Sequence, residues 1–256
     1  MFEVSLNLLM MLLGAAFVAG FIDAIAGGGG LITLPALLLA GASPIEALST
    51  NKVQGSFGAA TAALSYARAG QVDLRAQRVP AVIALAAGLF GAVLATRLPT
   101  ETLQIVIPMV LIAVALFFAL KRGLSDEDQV QRIKPELFTA LFTALFVPLI
   151  GTYDGMIGPG AGAFYMIGFV TLAGYGILKA TAHTKLLNFS SNIGGLVVFA
   201  LFGATWWFTG IAMGFAQVAG AALGAKLALR VGANLIRPLL VITSVALALR
   251  VFVQML

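Results

Sequence analysis

Hydrophobic residues occur along this chain in long runs that charged residues do not interrupt. No Asp, Glu, Lys or Arg lies in six stretches, at 4–22, 79–96, 102–120, 137–153, 155–178 and 186–225. A helix needs roughly 20 mainly apolar residues to cross the hydrocarbon core of a bilayer. The pattern therefore predicts a polytopic α-helical membrane protein.

The apolar segments fall into two sets of five. The first set lies at about 4–26, 31–42, 45–67, 79–97 and 102–120, and the second at about 136–157, 161–175, 178–202, 207–230 and 235–254. We therefore predict an all-α fold with a first transmembrane repeat at 1–120, a charged cytoplasmic linker at 121–136 and a second transmembrane repeat at 137–256.

The two halves also resemble each other in sequence. At an offset of 131, Gly20, Asp23, Gly27 and Gly29 match Gly151, Asp154, Gly158 and Gly160. At an offset of 133, matched residues run from Ala47 and Lys52 in the first half, which match Ala180 and Lys185, to Arg97, which matches Arg230. A register that needs one two-residue insertion indicates an internal duplication.

The second segment of each half is too short to span a bilayer. Twelve to fifteen residues at 1.5 Å each fall short of roughly 30 Å. Each short segment follows a helix-breaking run, Gly27 to Gly30 in the first half and Gly158 to Gly162, with a proline, in the second. We predict one short or broken helix per repeat.

The positions of Arg and Lys predict the topology. Five crossings per half place the Arg68–Arg78 loop, the central linker and the Arg230–Arg237 turn on the cytoplasmic side and both termini in the periplasm. An odd number of crossings also inverts the second half relative to the first. The alternative treats the short segments as re-entrant and gives eight crossings with parallel halves.

Composition supports the membrane assignment and excludes several classes of enzyme. The chain is 61% hydrophobic and 10% charged, with a mean hydropathy of +1.04 and a net charge of +5 that we attribute to cytoplasmic loops. It has no cysteine, a single histidine, and no motif of a serine hydrolase or a membrane zinc protease. We expect no enzymatic activity, no cofactor, no metal site and no nucleic-acid partner.

Two repeat-related pairs of charged residues stand out: Asp23 with Asp154, and Lys52 with Lys185. A charge within the bilayer is costly, so it usually lines a cavity or pairs with an opposite charge. For the lysines, contact with an anion, pairing with an aspartate and extension to the interface are the three alternatives. For the aspartates, they are proton coupling and capping of the glycine break.

Polar and glycine positions beside these charges complete the predicted substrate site. The glycine runs match no phosphate-binding motif, and a helix break exposes N-terminal amides that favour an anion, although glycines also serve close helix packing. Lys185, Asn188 and Asn192 share one helical face, which suits an oxyanion, whereas interhelical hydrogen bonding is the alternative. The predicted substrate-binding residues are Lys52, Lys185, Asn51, Asn188, Asn192, Gly28, Gly29 and Gly160. His183, a proton relay or a hydrogen-bonded structural residue, joins Asp23 and Asp154 in the coupling or structural group.

At these residues the sequence resembles the sulfite exporter TauE/SafE family, also described as the toluene-sulfonate uptake family. The resemblance covers nearly the whole chain. It depends on Gly20 to Gly30, Pro35, Thr50-Asn51-Lys52, Gly58, Asp154-Gly155, Gly158-Pro159-Gly160, Ala180 to Lys185, Asn188 and Asn192.

The resemblance implies transport of a small anion, such as sulfite, a sulfonate or sulfoacetate, across a prokaryotic inner membrane. We therefore expect a secondary transporter that works by alternating access, with proton coupling as a hypothesis. A passive anion channel and a membrane scaffold or assembly factor are the alternatives. The expected partners are the anionic substrate and the lipid bilayer, and a homodimer stays open.

Overall fold

A computed structural model describes residues 3–120, 141–202 and 205–232, and in these ranges the regular structure is entirely helical. The α-helices are α1 (Leu6–Ala26), α2 (Gly30–Leu39), α3 (Pro44–Arg68), α4 (Arg78–Arg97), α5 (Thr100–Leu120), α6 (Val147–Met156), α7 (Ala161–Leu172), α8 (Ile177–Phe202) and α9 (Trp207–Val231). A single π-helical turn, Phe142–Phe146, precedes α6. The predicted all-α class is confirmed.

The observed helices follow the predicted segments closely. The segment predicted at 136–157 begins outside the described residues and becomes α6 only at Val147, after the π-helical turn. Among the other segments, the largest differences are at the short helices, where α2 ends at Leu39 instead of residue 42 and α7 ends at Leu172 instead of residue 175. Gly41 and Gly174, both with positive φ, follow these ends and stop each helix early. The predicted linker at 121–136 and the last segment at 235–254 lie outside the described residues.

Four of the described helices, α1, α4, α8 and α9, are long and apolar enough to cross a membrane. Helix α3 has 25 residues, but polar side chains from Ser49 to Ser56 make it less apolar. These polar residues are buried, so they face other helices and not lipid. The chain is therefore a multi-pass membrane protein with a polar interior, as the sequence predicts.

Two hydrophobic clusters lie at opposite ends of the helices. Cluster A includes Leu12, Leu48, Phe199 and Met213, together with α2, and cluster B includes Ile25, Tyr66, Phe169, Leu187 and Ala225. We call the corresponding ends of the protein end A and end B. Polar residues in the middle of α3 and α8 separate the clusters, so the fold is apolar at both ends and polar at its centre.

The clusters also give the direction of each helix. Helices α1 and α3 run from end A to end B, whereas their sequence counterparts α6 and α8 run from end B to end A. The direction of α4 and α9 places Arg78 and Arg230 at end B and Trp207 at end A. The count of ten segments, the inverted-repeat arrangement of the whole halves and the membrane side of each end stay predictions.

Glycines let helices from different halves pack closely. Helix α1 packs along α9, and α4 packs against both α6 and α8. A Cβ at Gly91 would overlap the Thr152 carbonyl oxygen, and one at Gly220 would overlap the Phe17 carbonyl oxygen. Small residues let helix backbones approach each other in a membrane, where apolar surface alone does not distinguish a helix from lipid. The two halves therefore form one closely packed bundle.

Polar contacts join the two halves at each end. At end A, Glu3 accepts hydrogen bonds from the Phe208 and Thr209 amides at the start of α9. Burial raises the pKa of Glu3, but hydrogen bonds from its own backbone, Thr209 and Phe208 outweigh burial and lower it. At end B, the Asp73 amide donates to Nε2 of His183 over 3.4 Å.

Candidate functional site

The two helix breaks meet at the centre of the fold. Gly27 and Gly28 separate α1 from α2, and Gly158 and Gly160 separate α6 from α7, and all four have positive φ. A Cβ at Gly27 would collide with the Ala163 amide across the interface, and one at Gly30 would lie 3.3 Å from the Pro159 Cα. Glycine is therefore required both by the backbone conformation and by the contact between the breaks.

The first of two ion pairs joins α3 to the second half. Nζ of Lys52 lies 2.8 Å from Oδ1 of Asp154, and it also donates to the Asp154 carbonyl oxygen. Asn188 Nδ2 donates to Asp154 Oδ2 over 2.9 Å, and the Ser191 hydroxyl donates to the same oxygen. Both charged side chains are at most 2% exposed. This carboxylate is thus fully buried and held by three side chains.

The second ion pair joins α8 to the first half. Nζ of Lys185 lies 3.1 Å from Oδ2 of Asp23, and it also donates to the Asp23 carbonyl oxygen. The other carboxylate oxygen accepts from the Gly29 amide over 3.1 Å, which is the capping contact expected of an aspartate beside a helix break. The Asp23 side chain is 17% exposed, so the two repeat-related aspartates have different environments.

A small cavity lies between the two breaks. The space open to the centre of a water molecule in this cavity is about 30 Å³. Its wall consists of Asp23, Gly28, Gly29, Gly30, Asn51, Gln54, Gly55, Asp154, Gly158, Gly160, Gly162, Asn188, Asn192 and Gln217. Both halves contribute to it, and every one of these residues is a glycine, a carboxamide or an aspartate.

Hydrogen bonds fix several of the carboxamides. Oδ1 of Asn51 accepts from Thr33 Oγ1 and from Gln54 Nε2, each over 2.7 Å. Asn192 Nδ2 donates to the Asn188 carbonyl oxygen over 2.7 Å. These contacts set the orientation of each amide and therefore decide which of its atoms are available to a ligand.

The cavity brings together most of the predicted site residues. Asn51, Asn188, Asn192, Gly28, Gly29 and Gly160 all line it, as do Asp23 and Asp154. The ammonium groups of Lys52 and Lys185 lie behind the aspartates and do not form its wall. His183 is outside it, near end B, where its ring contacts those of Phe169 and Tyr175.

The predicted site lacks two carboxamides of the cavity wall, Gln54 and Gln217, and four of its glycines, Gly30, Gly55, Gly158 and Gly162. Gln217 lies in α9, where it packs against Gly20 and Gly58 of other helices. Its Oε1 is 2.9 Å from the position that a Cβ of Gly58 would occupy. The signal that could have identified Gln217 is that it is the one carboxamide between residues 207 and 231, in an otherwise mainly apolar segment. Within the described ranges, no group of three or more His, Cys, Asp or Glu side chains could hold a metal ion.

The fold and the site together define a multi-pass membrane protein with a polar cavity at the junction of two helix breaks. The profile of the family described as "Sulfite exporter TauE/SafE" matches residues 12–251. The chain therefore belongs to the TauE/SafE family of membrane transporters, and the resemblance seen in its motifs is confirmed.

Curated relatives cover nearly the whole chain. A "Probable membrane transporter protein ORF9" of a Sinorhizobium species is 53% identical over 97% of this chain and 94% of its own length. "Probable membrane transporter protein YfcA" of Escherichia coli K12 is 42% identical over 97% and 91%. A "Probable membrane transporter protein" of Haemophilus influenzae is 40% identical over 94% and 93%. No solved structure matches this chain.

Proposed function

We propose that this chain is a secondary transporter that moves a small anion, of the sulfur oxyanion or organosulfonate type, across a prokaryotic inner membrane. The observation that carries the proposal is the central cavity, because both helix breaks and carboxamides from both halves converge on it. Amides at the starts of α2 and α7 supply the positive end of a helix dipole, which favours an anion. The family name supports an anionic sulfur compound as the substrate class.

Alternating access fits the arrangement of the helices. Counterpart helices run in opposite directions, and apolar clusters A and B cover the cavity towards the two ends. Movement of one half against the other would open one end while the other stays packed. A passive channel would instead need a continuous polar path across the membrane. The inverted arrangement of the repeats and the periplasmic position of both termini are part of this proposal.

The charges around the cavity support the proposal that transport is coupled to a proton. Two ammonium groups balance two carboxylates, so an anion that enters the cavity adds an uncompensated negative charge. Protonation of one aspartate would leave its lysine unpaired and make the site cationic. Asp23 is the better candidate because it is 17% exposed and has fewer hydrogen-bond partners than Asp154. Binding of one proton would then favour binding of one anion.

Thermal unfolding of the purified protein tests the site. A screen of sulfite, sulfate, sulfonates, sulfoacetate and carboxylates should reveal at least one stabilising anion, because a ligand that binds only the folded state raises its stability. Accumulation of that anion against its gradient in proteoliposomes would separate a carrier from a channel. No stabilisation by any of these anions would instead support a scaffold.

The Asp23→Asn variant tests coupling. Asn keeps an oxygen for the Gly29 amide but cannot titrate, so a pH gradient should no longer drive accumulation. Exchange of anion at equal pH should continue. If the variant accumulates anion as the parent does, Asp23 only caps the helix break, and proton coupling through it is wrong.

A further inference from the structure

The cavity wall contains hydrogen-bond acceptors that nothing in the described part of the chain satisfies. Oε1 of Gln54 and Oε1 of Gln217 are buried and accept no hydrogen bond, and the two side chains are 0% and 3% exposed. Buried polar atoms are almost always paired in folded proteins, so two unpaired oxygens beside one cavity indicate a missing partner.

The hydrogen bonds of the other carboxamides decide which of their groups a ligand can reach. Gln54 uses its amide nitrogen on Asn51 and Thr33, which leaves its oxygen unused. Asn188 and Asn192 likewise use their amide nitrogens within the protein, on Asp154 and on the Asn188 carbonyl oxygen. Gln54 therefore has only its oxygen left for a ligand, whereas Asn188 and Asn192 each keep a second N–H beside the side-chain oxygen.

Further donors of the same cavity lie at the helix breaks. Asn51 presents its amide nitrogen towards Gly30, since Asn51 Oδ1 already accepts two hydrogen bonds. Gly30, at the start of α2, lies beside both Asn51 Nδ2 and Pro159 of the other break. The wall thus has one region that suits an anionic group and one that suits an N–H or O–H donor.

We propose that the ligand of this cavity is a small monoanion that carries a hydrogen-bond donor beside its anionic group, such as an amino, hydroxyl or acid O–H group. This inference rests on the proposed function, because it names the substrate class of the same site. An oxyanion without a donor would place its own oxygens against the carboxamide oxygens. A site with buried polar groups rejects a ligand that leaves them unpaired.

A bare cation is the other partner that oxygen atoms could take. The structure favours a donor-bearing anion because the carboxylates at the cavity are already paired with Lys52 and Lys185. A cation would therefore meet no net negative charge and would lie close to two ammonium groups. The unpaired oxygens of Gln54 and Gln217 suit an N–H or O–H group instead.

Sulfamate and methanesulfonate form a matched pair of probes. Both are monoanions of nearly the same shape, but sulfamate has an amino group where methanesulfonate has a methyl group. We expect sulfamate to bind the purified full chain about tenfold or more tightly, judged by titrating the unfolding temperature, because one hydrogen bond to a buried amide is gained. Each anion is added as its sodium and its choline salt.

Three variants assign the preference to the cavity. Gln217→Met and Gln54→Met keep the length of the side chain and remove the amide. Each should therefore bring the affinities for sulfamate and methanesulfonate closer to equality. Gln104→Met is the control, since Gln104 is exposed on α5 and away from this cavity. It should keep the full preference. If one cavity variant fails to fold, the other and the parent still give the ratio.

Other outcomes overturn the inference in distinguishable ways. Equal binding of both anions, or tighter binding of methanesulfonate, would leave the anion site in place and refute the donor requirement. Stabilisation by sodium salts alone, with no effect of choline salts, would assign the oxygens to a cation. No stabilisation by these two anions or by any anion of the wider screen would refute both this inference and the proposed function.

Discussion

The buried pair of Lys52 and Asp154 gives a quantitative prediction about stability. Nζ of Lys52 and Oδ1 of Asp154 are 2.8 Å apart, and both side chains are almost completely excluded from solvent. Removing one partner of such a pair leaves the other charge buried and uncompensated, which costs about 3–5 kcal/mol. We therefore expect Lys52→Met and Asp154→Asn each to destabilise the protein by about this amount. For a chain of this size, that corresponds to a decrease in unfolding temperature of roughly 6–20 °C.

The double variant separates the interaction from the loss of either side chain. Lys52→Met with Asp154→Asn leaves no unpaired charge, so its destabilisation should be smaller than the sum of the two single effects. We expect the sum of the two single effects to exceed the effect of the double variant by about 3 kcal/mol, which is at the upper end of the interaction energies of contacting residues. Lys226→Met is the control, because Lys226 is exposed on α9, and it should change stability by less than about 0.5 kcal/mol.

The assay is thermal unfolding of the four proteins and the control in one detergent, with membrane insertion checked beforehand. Additive single effects would refute the reasoning, because they would mean that the pair contributes no interaction energy. The corresponding single and double variants of Lys185 and Asp23 should give a smaller interaction energy, since water has partial access to Asp23.

Three further predictions concern topology, packing and pH. Reporter fusions at Gln71 and Leu256 should place Gln71 in the cytoplasm and the C-terminus in the periplasm, and a cytoplasmic C-terminus would favour eight crossings. Gly91→Ala should destabilise the protein by about 1–3 kcal/mol, because its Cβ would overlap a carbonyl oxygen of α6, whereas Gly14→Ala, with open space around it, should be neutral or stabilising. Because the pKa of Glu3 is lowered in the folded state, its contribution to stability is present above its ordinary pKa and is lost as pH falls through the lowered one. Glu3→Gln should reduce that pH dependence of the unfolding temperature, and an unchanged profile would show that the contact at end A contributes nothing.

Several features of this protein follow from the sequence alone because they depend on local properties. Hydrophobic runs of the length of a bilayer specify the helices, and glycine runs specify where the helices break. The repeated spacing of Asp23 and Lys52 in the second half identifies four charged residues of the centre. Six of the eight predicted substrate-binding residues line the cavity, three of them glycines at the breaks and three of them asparagines on α3 and α8.

The tertiary structure decided how these residues pair. Each lysine contacts the aspartate of the opposite half, across 102 or 162 residues of chain, and the lysines therefore lie behind the cavity wall. Pairing within one half and pairing between halves are equally consistent with the repeat. Only the close packing of α1 on α9 and of α4 on α6 brings one half's break to the other half's lysine. Gln217 reaches the cavity for a related reason, because Gly20 and Gly58 leave space for its side chain, and such space depends on helices that are distant in sequence.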